Sequence, residues 1–170
     1  KTMVAAAAAY LTAKNGRQTA MMAPTEILAE QHCRSLHKLL APLGVRVSLL
    51  TGSLTQKQKR DVRAAIEAGE TELVIGTHAL ITEGVEYKNL GLVVTDEQHR
   101  FGVRQRTMLG KKGDATNVLV MSATPIPRTL SLILYGDLDI SIVDELPPGR
   151  KPVATRVVPE SKRDGLYGFL

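Results

Sequence analysis

The sequence has a single cysteine, Cys33. One thiol excludes an internal disulfide and suits a reducing compartment. Long hydrophobic runs are missing too: Lys, Arg, Glu or Asp interrupts every apolar stretch before about 20 residues, the length needed to cross a bilayer as a helix. The alanine-rich stretch at 3–11 lacks the charged, apolar, small-residue order of a signal peptide. No internal repeat or low-complexity tract is present. His32 and His37 do not share the i, i+4 spacing of a helical metal pair, so they read as surface or partly packed side chains. These absences lead to an expectation of a soluble, cytoplasmic protein with no membrane partner.

What is present is ordinary for a globular chain. With 170 residues, 44% hydrophobic and 23% charged, the sequence can bury a sizeable core. A formal net charge of +5 suits a polyanionic partner such as nucleic acid, although many cytosolic proteins carry as much.

Apolar periodicity alternates between strand and helix along the chain. A helix is expected over 3–11, ended by Asn15-Gly16. A buried strand follows at 18–23, then a helix opened by Pro24-Thr25-Glu26 and running to about Leu40. It places Ile27, Leu28, Gln31, Leu36, Leu39 and Leu40 at approximately helical spacing. Residues 45–50 read as a strand, 55–68 as a helix with Lys57, Lys59, Arg60 and Arg63 on its exposed side, and 72–76 as a strand. Further strands are expected at 92–95, 117–121, 140–143 and 153–158, with a helix through Tyr135. Pro147-Pro148-Gly149-Arg150-Lys151-Pro152 is the one convincing linker. It divides the expected domains into 1–146 and 147–170. This order predicts an α/β, doubly wound, mostly parallel sheet with helices on both faces.

The chain is organised around Leu92-Val93-Val94-Thr95-Asp96-Glu97-Gln98-His99. An apolar β-branched strand delivering adjacent carboxylates is what a parallel sheet needs to hold a metal-bound phosphate at the carboxyl ends of its strands. A core strand ending in a solvated acidic turn would look the same in isolation. Other strand ends carry polar groups as well: Pro24-Thr25, Thr51-Gly52-Ser53, Thr77-His78, and Ser122-Ala123-Thr124 leading into two prolines. Right-handed crossovers would bring these ends to one edge. Lys1-Thr2, entering a helix directly, match the last two positions of a GxxxxGK[ST] phosphate-binding loop.

Taken together, these motifs resemble the first RecA-like motor domain of a superfamily 2 DNA helicase, a P-loop NTPase fold. The resemblance is carried by Ala23-Pro24-Thr25-Glu26 with Leu28-Ala29-Glu30-Gln31-His32 and by Gly76-Thr77-His78-Ala79-Leu80-Ile81. It continues through Asp96-Glu97-Gln98-His99-Arg100-Phe101-Gly102-Val103, Met121-Ser122-Ala123-Thr124-Pro125-Ile126-Pro127-Arg128 and the Leu146–Pro152 tail, in family order. The motor domain of a transcription-repair coupling factor, which shares the His-Arg-Phe-Gly-Val stretch, is an alternative; Gln98 and the Pro-Pro-Gly-Arg-Lys-Pro tail tip the choice away from it.

The resemblance implies ATP and Mg2+ as ligands. Asp96 and Thr2 would hold the metal, Glu97 would orient the attacking water, Lys1 would reach the β and γ phosphates, and Gln98 and His99 would sense the γ phosphate. Ser122 and Thr124 would couple hydrolysis to movement. Pro24, Thr25, Thr51, Gly52, Thr77 and His78 would grip DNA phosphates without reading bases. Arg100, Arg104 and Arg106 would bind DNA or meet a neighbouring domain. The implied activity is ATP-driven movement on double-stranded or branched DNA, remodelling stalled forks and recombination intermediates.

Three departures shape the expectation. The glycines before Lys1 and the strand feeding them are missing, and a gap inside the sheet is expected where that strand would lie. A second RecA-like domain, with its arginine finger, and a fork-recognising domain are expected to lie outside these 170 residues. The chain by itself is therefore expected to bind nucleotide poorly and not to hydrolyse it. A non-hydrolysing nucleic-acid or protein binding module on the same fold is the alternative; adjacent Asp96 and Glu97 favour the motor.

Overall fold

A computed structural model describes residues 1–80, 84–96, 116–122, 139–145, 149, 155, 157–163, 165 and 168, with the side chains of His78 and Lys162 excepted. The chain forms two compact units, Lys1–Pro125 and Ile126–Leu170.

The first unit is built on a five-stranded parallel sheet in the order β2-β3-β1-β4-β5. The strands are β1 (Gln18–Met22), β2 (Val47–Leu50), β3 (Leu73–Gly76), β4 (Leu90–Thr95) and β5 (Asn117–Val120). The helices are α1 (Thr2–Lys14), α2 (Glu26–Leu40) and α3 (Gln56–Ala68). Strands β1, β3 and β4 are buried along their whole length, as strands covered on both faces must be.

Side chains alternate across the sheet and feed two cores. On one face Met21, Leu73, Ile75, Leu92 and Val94 pack with the α1 alanines Ala5, Ala6 and Ala9 and with Ala29, Leu36 and Leu40 of α2. On the other face Ala20, Met22, Val74 and Val93 pack with Ile66 of α3 and with Leu80 and Val85. The doubly wound expectation is met: α1 and α2 cover one face and α3 the other. Small alanines let α1 lie close to the sheet, and Cys33 packs against the same core. Burial pushes the Cys33 thiol up, with Arg34 opposing, so little reactive thiolate forms.

Local chemistry sets the helix boundaries. The Thr25 hydroxyl accepts from the Leu28 N–H at the start of α2. Thr55 and Gln58 form a reciprocal capping box at α3, and Gly69 ends that helix at φ +74°. The expected core face of α2 is met at Leu36 and Leu40, which are buried, and at Leu28, which packs against the core. Ile27 and Leu39 are exposed, and Ala29 turns inward, because the sheet lies along that stripe.

Two other expectations are corrected. Among the described residues the sheet has no internal gap. β1, β3 and β4 each hydrogen-bond to a neighbour on both sides, and the edges are β2 and β5, with Val118 of β5 exposed. Nor do residues 140–143 form a strand. Ile140, Ile142 and Val143 are exposed, and a β-branched run becomes a strand only when a partner ladder and packing neighbours receive it. Among the described residues no helix is long and apolar enough to cross a membrane.

Candidate functional site

Parallel register brings the carboxyl ends of all five strands into one row. Leu50 aligns with Gly76, Gly76 with Met22, Met22 with Thr95, and Thr95 with Val120. The ladder runs one residue further: Ala23 N–H donates to Gly76 O at 2.9 Å, Asp96 N–H to Met22 O at 3.0 Å, and Met121 N–H to Thr95 O at 2.9 Å. Thr51, Thr77, Ala23, Asp96 and Met121 therefore leave the sheet together. This is the edge at which open α/β sheets hold ligands.

At the β4 end, the Asp96 carboxylate meets an unexpected partner. His32 Nε2 of α2 lies 2.8 Å from Asp96 Oδ2, and the two side chains are 13% and 18% exposed. Nearby in the row, Lys1 donates through Nζ to the Ser122 carbonyl, joining the start of α1 to the residue after Met121. Thr2 is the first residue of α1 and is half-buried. Thr95, next to Asp96, is fully buried, and its hydroxyl has no hydrogen-bond partner. Glu97, Gln98, His99 and Thr124, with Arg100, Arg104 and Arg106, lie outside the described residues.

The β1 and β2 ends are joined by side chains. Glu26 in the first turn of α2 accepts from the Ser53 N–H at 3.2 Å. Thr51 is fully buried and shares a 3.0 Å hydrogen bond with the Ser53 hydroxyl, so Gly52 and Ser53 form the exposed surface of that turn. Lys59 turns back from α3 to donate to Gly52 O at 2.6 Å, so it is not simply part of a solvated face. Gly76 is required by contact: a Cβ there would stand 2.1 Å from the Leu50 carbonyl oxygen. Thr77 and the backbone of His78 follow directly at the β3 end.

Sequence reasoning left His32 without a role. One signal was available, because His32 lies three residues after Ala29 and four before Leu36, on the inward stripe of α2. An imidazole on such a stripe needs a polar partner.

The donors present fit a metal that arrives with a phosphate ligand. Magnesium takes one or two protein carboxylates and fills its shell from phosphate and water. Among the described residues no three His, Cys, Asp or Glu side chains form a metal cage. Asp96 offers one hard carboxylate, and Lys1 places a cation at the same edge.

Residues 1–133 match the DEAD/DEAH box helicase family model, and the chain belongs to that family. Within it, the chain is 54% identical over 169 residues to the ATP-dependent DNA helicase RecG of Aquifex aeolicus, covering 98% of this chain and 21% of the relative. To RecG of Streptococcus pneumoniae it is 56% identical over 156 residues, covering 92% of this chain and 23% of the relative. A solved structure of RecG bound to a three-way DNA junction superposes with a TM-score of 0.82 at 45% identity, over 98% of this chain and 22% of that one. The chain thus spans less than a quarter of the length of these relatives. The MrfA helicase bound to DNA shares the fold alone, with a TM-score of 0.60 at 19% identity over 80% of this chain and 20% of that one.

Proposed function

We propose that this chain is the first motor domain of a RecG-type ATP-dependent DNA helicase. Its parent protein would couple ATP hydrolysis to movement on branched or forked duplex DNA and so remodel stalled forks and recombination intermediates. The observation that carries this reading is the shared sheet edge, where Asp96, Lys1 and Ser122 stand beside the turns that begin at Pro24, Thr51 and Thr77.

Asp96 and Thr2 would hold Mg2+, Lys1 would bind the β and γ phosphates, and Gln98 and His99 would sense the γ phosphate. A divalent cation held there would supply charge neutralisation at the phosphate oxygens. Glu97 orients the attacking water, a step in which positioning and electrostatics dominate. Ser122 and Thr124 exchange hydrogen bonds with the residues after Asp96 and carry the nucleotide state to the DNA-gripping turns. Pro24 and Thr25 at the α2 amino end, Thr51 with Gly52, and Thr77 with His78 contact DNA phosphates, so grip is sequence-independent and salt-sensitive. Because Thr51 is buried, its part in this reading falls to the backbone and to Ser53. Residues 147–170 are the linker and the opening of a second RecA-like domain, which completes the catalytic site in the cytoplasm. The chain alone is expected to be inactive.

Glu97→Gln in a full-length protein carrying this sequence tests the reading. DNA-stimulated ATP hydrolysis should collapse while nucleotide binding survives; persistent hydrolysis would remove Glu97 from the mechanism.

A further inference from the structure

His32 and Asp96 are 64 residues apart in sequence and come from different elements, yet their side chains meet at 2.8 Å in a partly buried setting. A carboxylate can only accept, so the hydrogen lies on His32 Nε2 and is donated to Asp96 Oδ2. A donor anchored on one oxygen limits rotation of the carboxyl group. The anchor is rigid, because His32 sits inside the 15-residue helix α2, between the buried residues Ala29 and Leu36.

We propose that His32 is a positioning residue for the metal site. It holds Asp96 Oδ2 so that the carboxyl group keeps one orientation toward the divalent cation. The proposal rests on the reading of Asp96 as a metal ligand. Groups that hydrogen-bond to metal ligands typically change metal affinity by about 10- to 100-fold when removed. His32 is placed to act in that way, without touching the cation.

The test is Mn2+ binding in the presence of a non-hydrolysable ATP analogue, followed by the electron paramagnetic resonance of free Mn2+. It uses the full-length protein carrying this sequence, with thermal unfolding of each variant recorded without metal. His32→Leu should weaken Mn2+ binding about tenfold. His32→Gln, whose amide nitrogen can donate from a similar reach, should recover most of that loss. In an Asp96→Asn background, His32→Leu should add little, since the two residues act through one contact. If His32→Leu binds Mn2+ like the wild type while Asp96→Asn is weakened, the positioning role is overturned and the ligand assignment stands. If Asp96→Asn itself binds like the wild type, the metal reading falls and the positioning role falls with it. A fully additive double variant, or a Gln variant no better than Leu, makes His32 a packing residue and overturns the proposal.

Discussion

Glu26 Oε1 accepts a hydrogen bond from the backbone N–H of Ser53 at 3.2 Å, tying the first turn of α2 to the turn after β2. The two segments proposed to grip DNA are therefore one unit, with a negative charge between them. A Cβ on Gly52 would stand 2.7 Å from the same oxygen. Glu26→Gln keeps the acceptor and removes the charge, so DNA binding should tighten about two- to fivefold at low salt, the range expected for one partly screened charge. Gly52→Ala should displace the carboxylate, free the Ser53 amide and weaken binding. Fluorescence anisotropy on a forked duplex across a salt series checks both; a weaker Gln variant would show that the carboxylate itself is needed.

Gly76 and Leu50 set the spacing of β3 and β2. Gly76→Ala pushes a methyl group into a carbonyl oxygen that cannot rotate away. The expected cost is about 1–3 kcal/mol, as for other overpacked interiors. Because Thr77 follows directly, DNA affinity should fall with stability. Denaturant unfolding and anisotropy on the same preparation decide this, and unchanged unfolding would mean that the strands adapt without loss.

Gln18 is buried and spans three segments at the opposite edge of the sheet. Its Nε2 donates to Ile66 O at 2.9 Å and to Thr71 O at 2.8 Å, and its Oε1 accepts from the Asn89 N–H at 3.1 Å. Gln18→Leu strands those three backbone groups. A loss of at least about 2 kcal/mol is expected, which lowers the melting temperature by roughly 4–8 °C in a domain of this size. Differential scanning calorimetry measures it; a shift within error would mean that water replaces the amide.

Arg46 and Glu72 join the starts of β2 and β3. Arg46 Nη2 lies 2.6 Å from Glu72 Oε1, and the Arg46 backbone N–H donates to Oε2 at 2.8 Å. Burial works against the Glu72 charge, but the hydrogen bonds from Arg46 outweigh it and hold the carboxyl below the usual range. Its contribution is complete above the unfolded Glu pKa of about 4.3 and is lost as pH falls through the lowered folded value. Arg46 is 58% exposed, which limits the gain to about 1 kcal/mol. Glu72→Gln should lower the melting temperature by about 2–4 °C at pH 7, with the gap closing in strong acid. A gap that persists there would place the effect outside the ion pair.

Much of the domain was legible because its signals are local. Val93-Val94-Thr95-Asp96 reads as a strand ending in an acid from four consecutive residues, and Pro24-Thr25-Glu26 reads as a capped helix start. On α2, Leu36 and Leu40 were read correctly, but Ile27 and Leu39 were not, because they have suitable spacing but point away from a sheet whose position the sequence does not state. Ile140-Ser141-Ile142-Val143 has strand composition, yet composition cannot supply the neighbouring strand.

The sequence alone determined the α/β alternation and the motif order, and it offered the residues proposed to bind phosphate and metal, because these depend on short-range periodicity and side-chain chemistry. Tertiary structure decided the β2-β3-β1-β4-β5 order, the burial of Thr51 and the meeting of His32 with Asp96. These depend on which distant segments the parallel register lays side by side. A histidine on α2 acquires a partner at the end of β4 only after the helix has docked on the sheet.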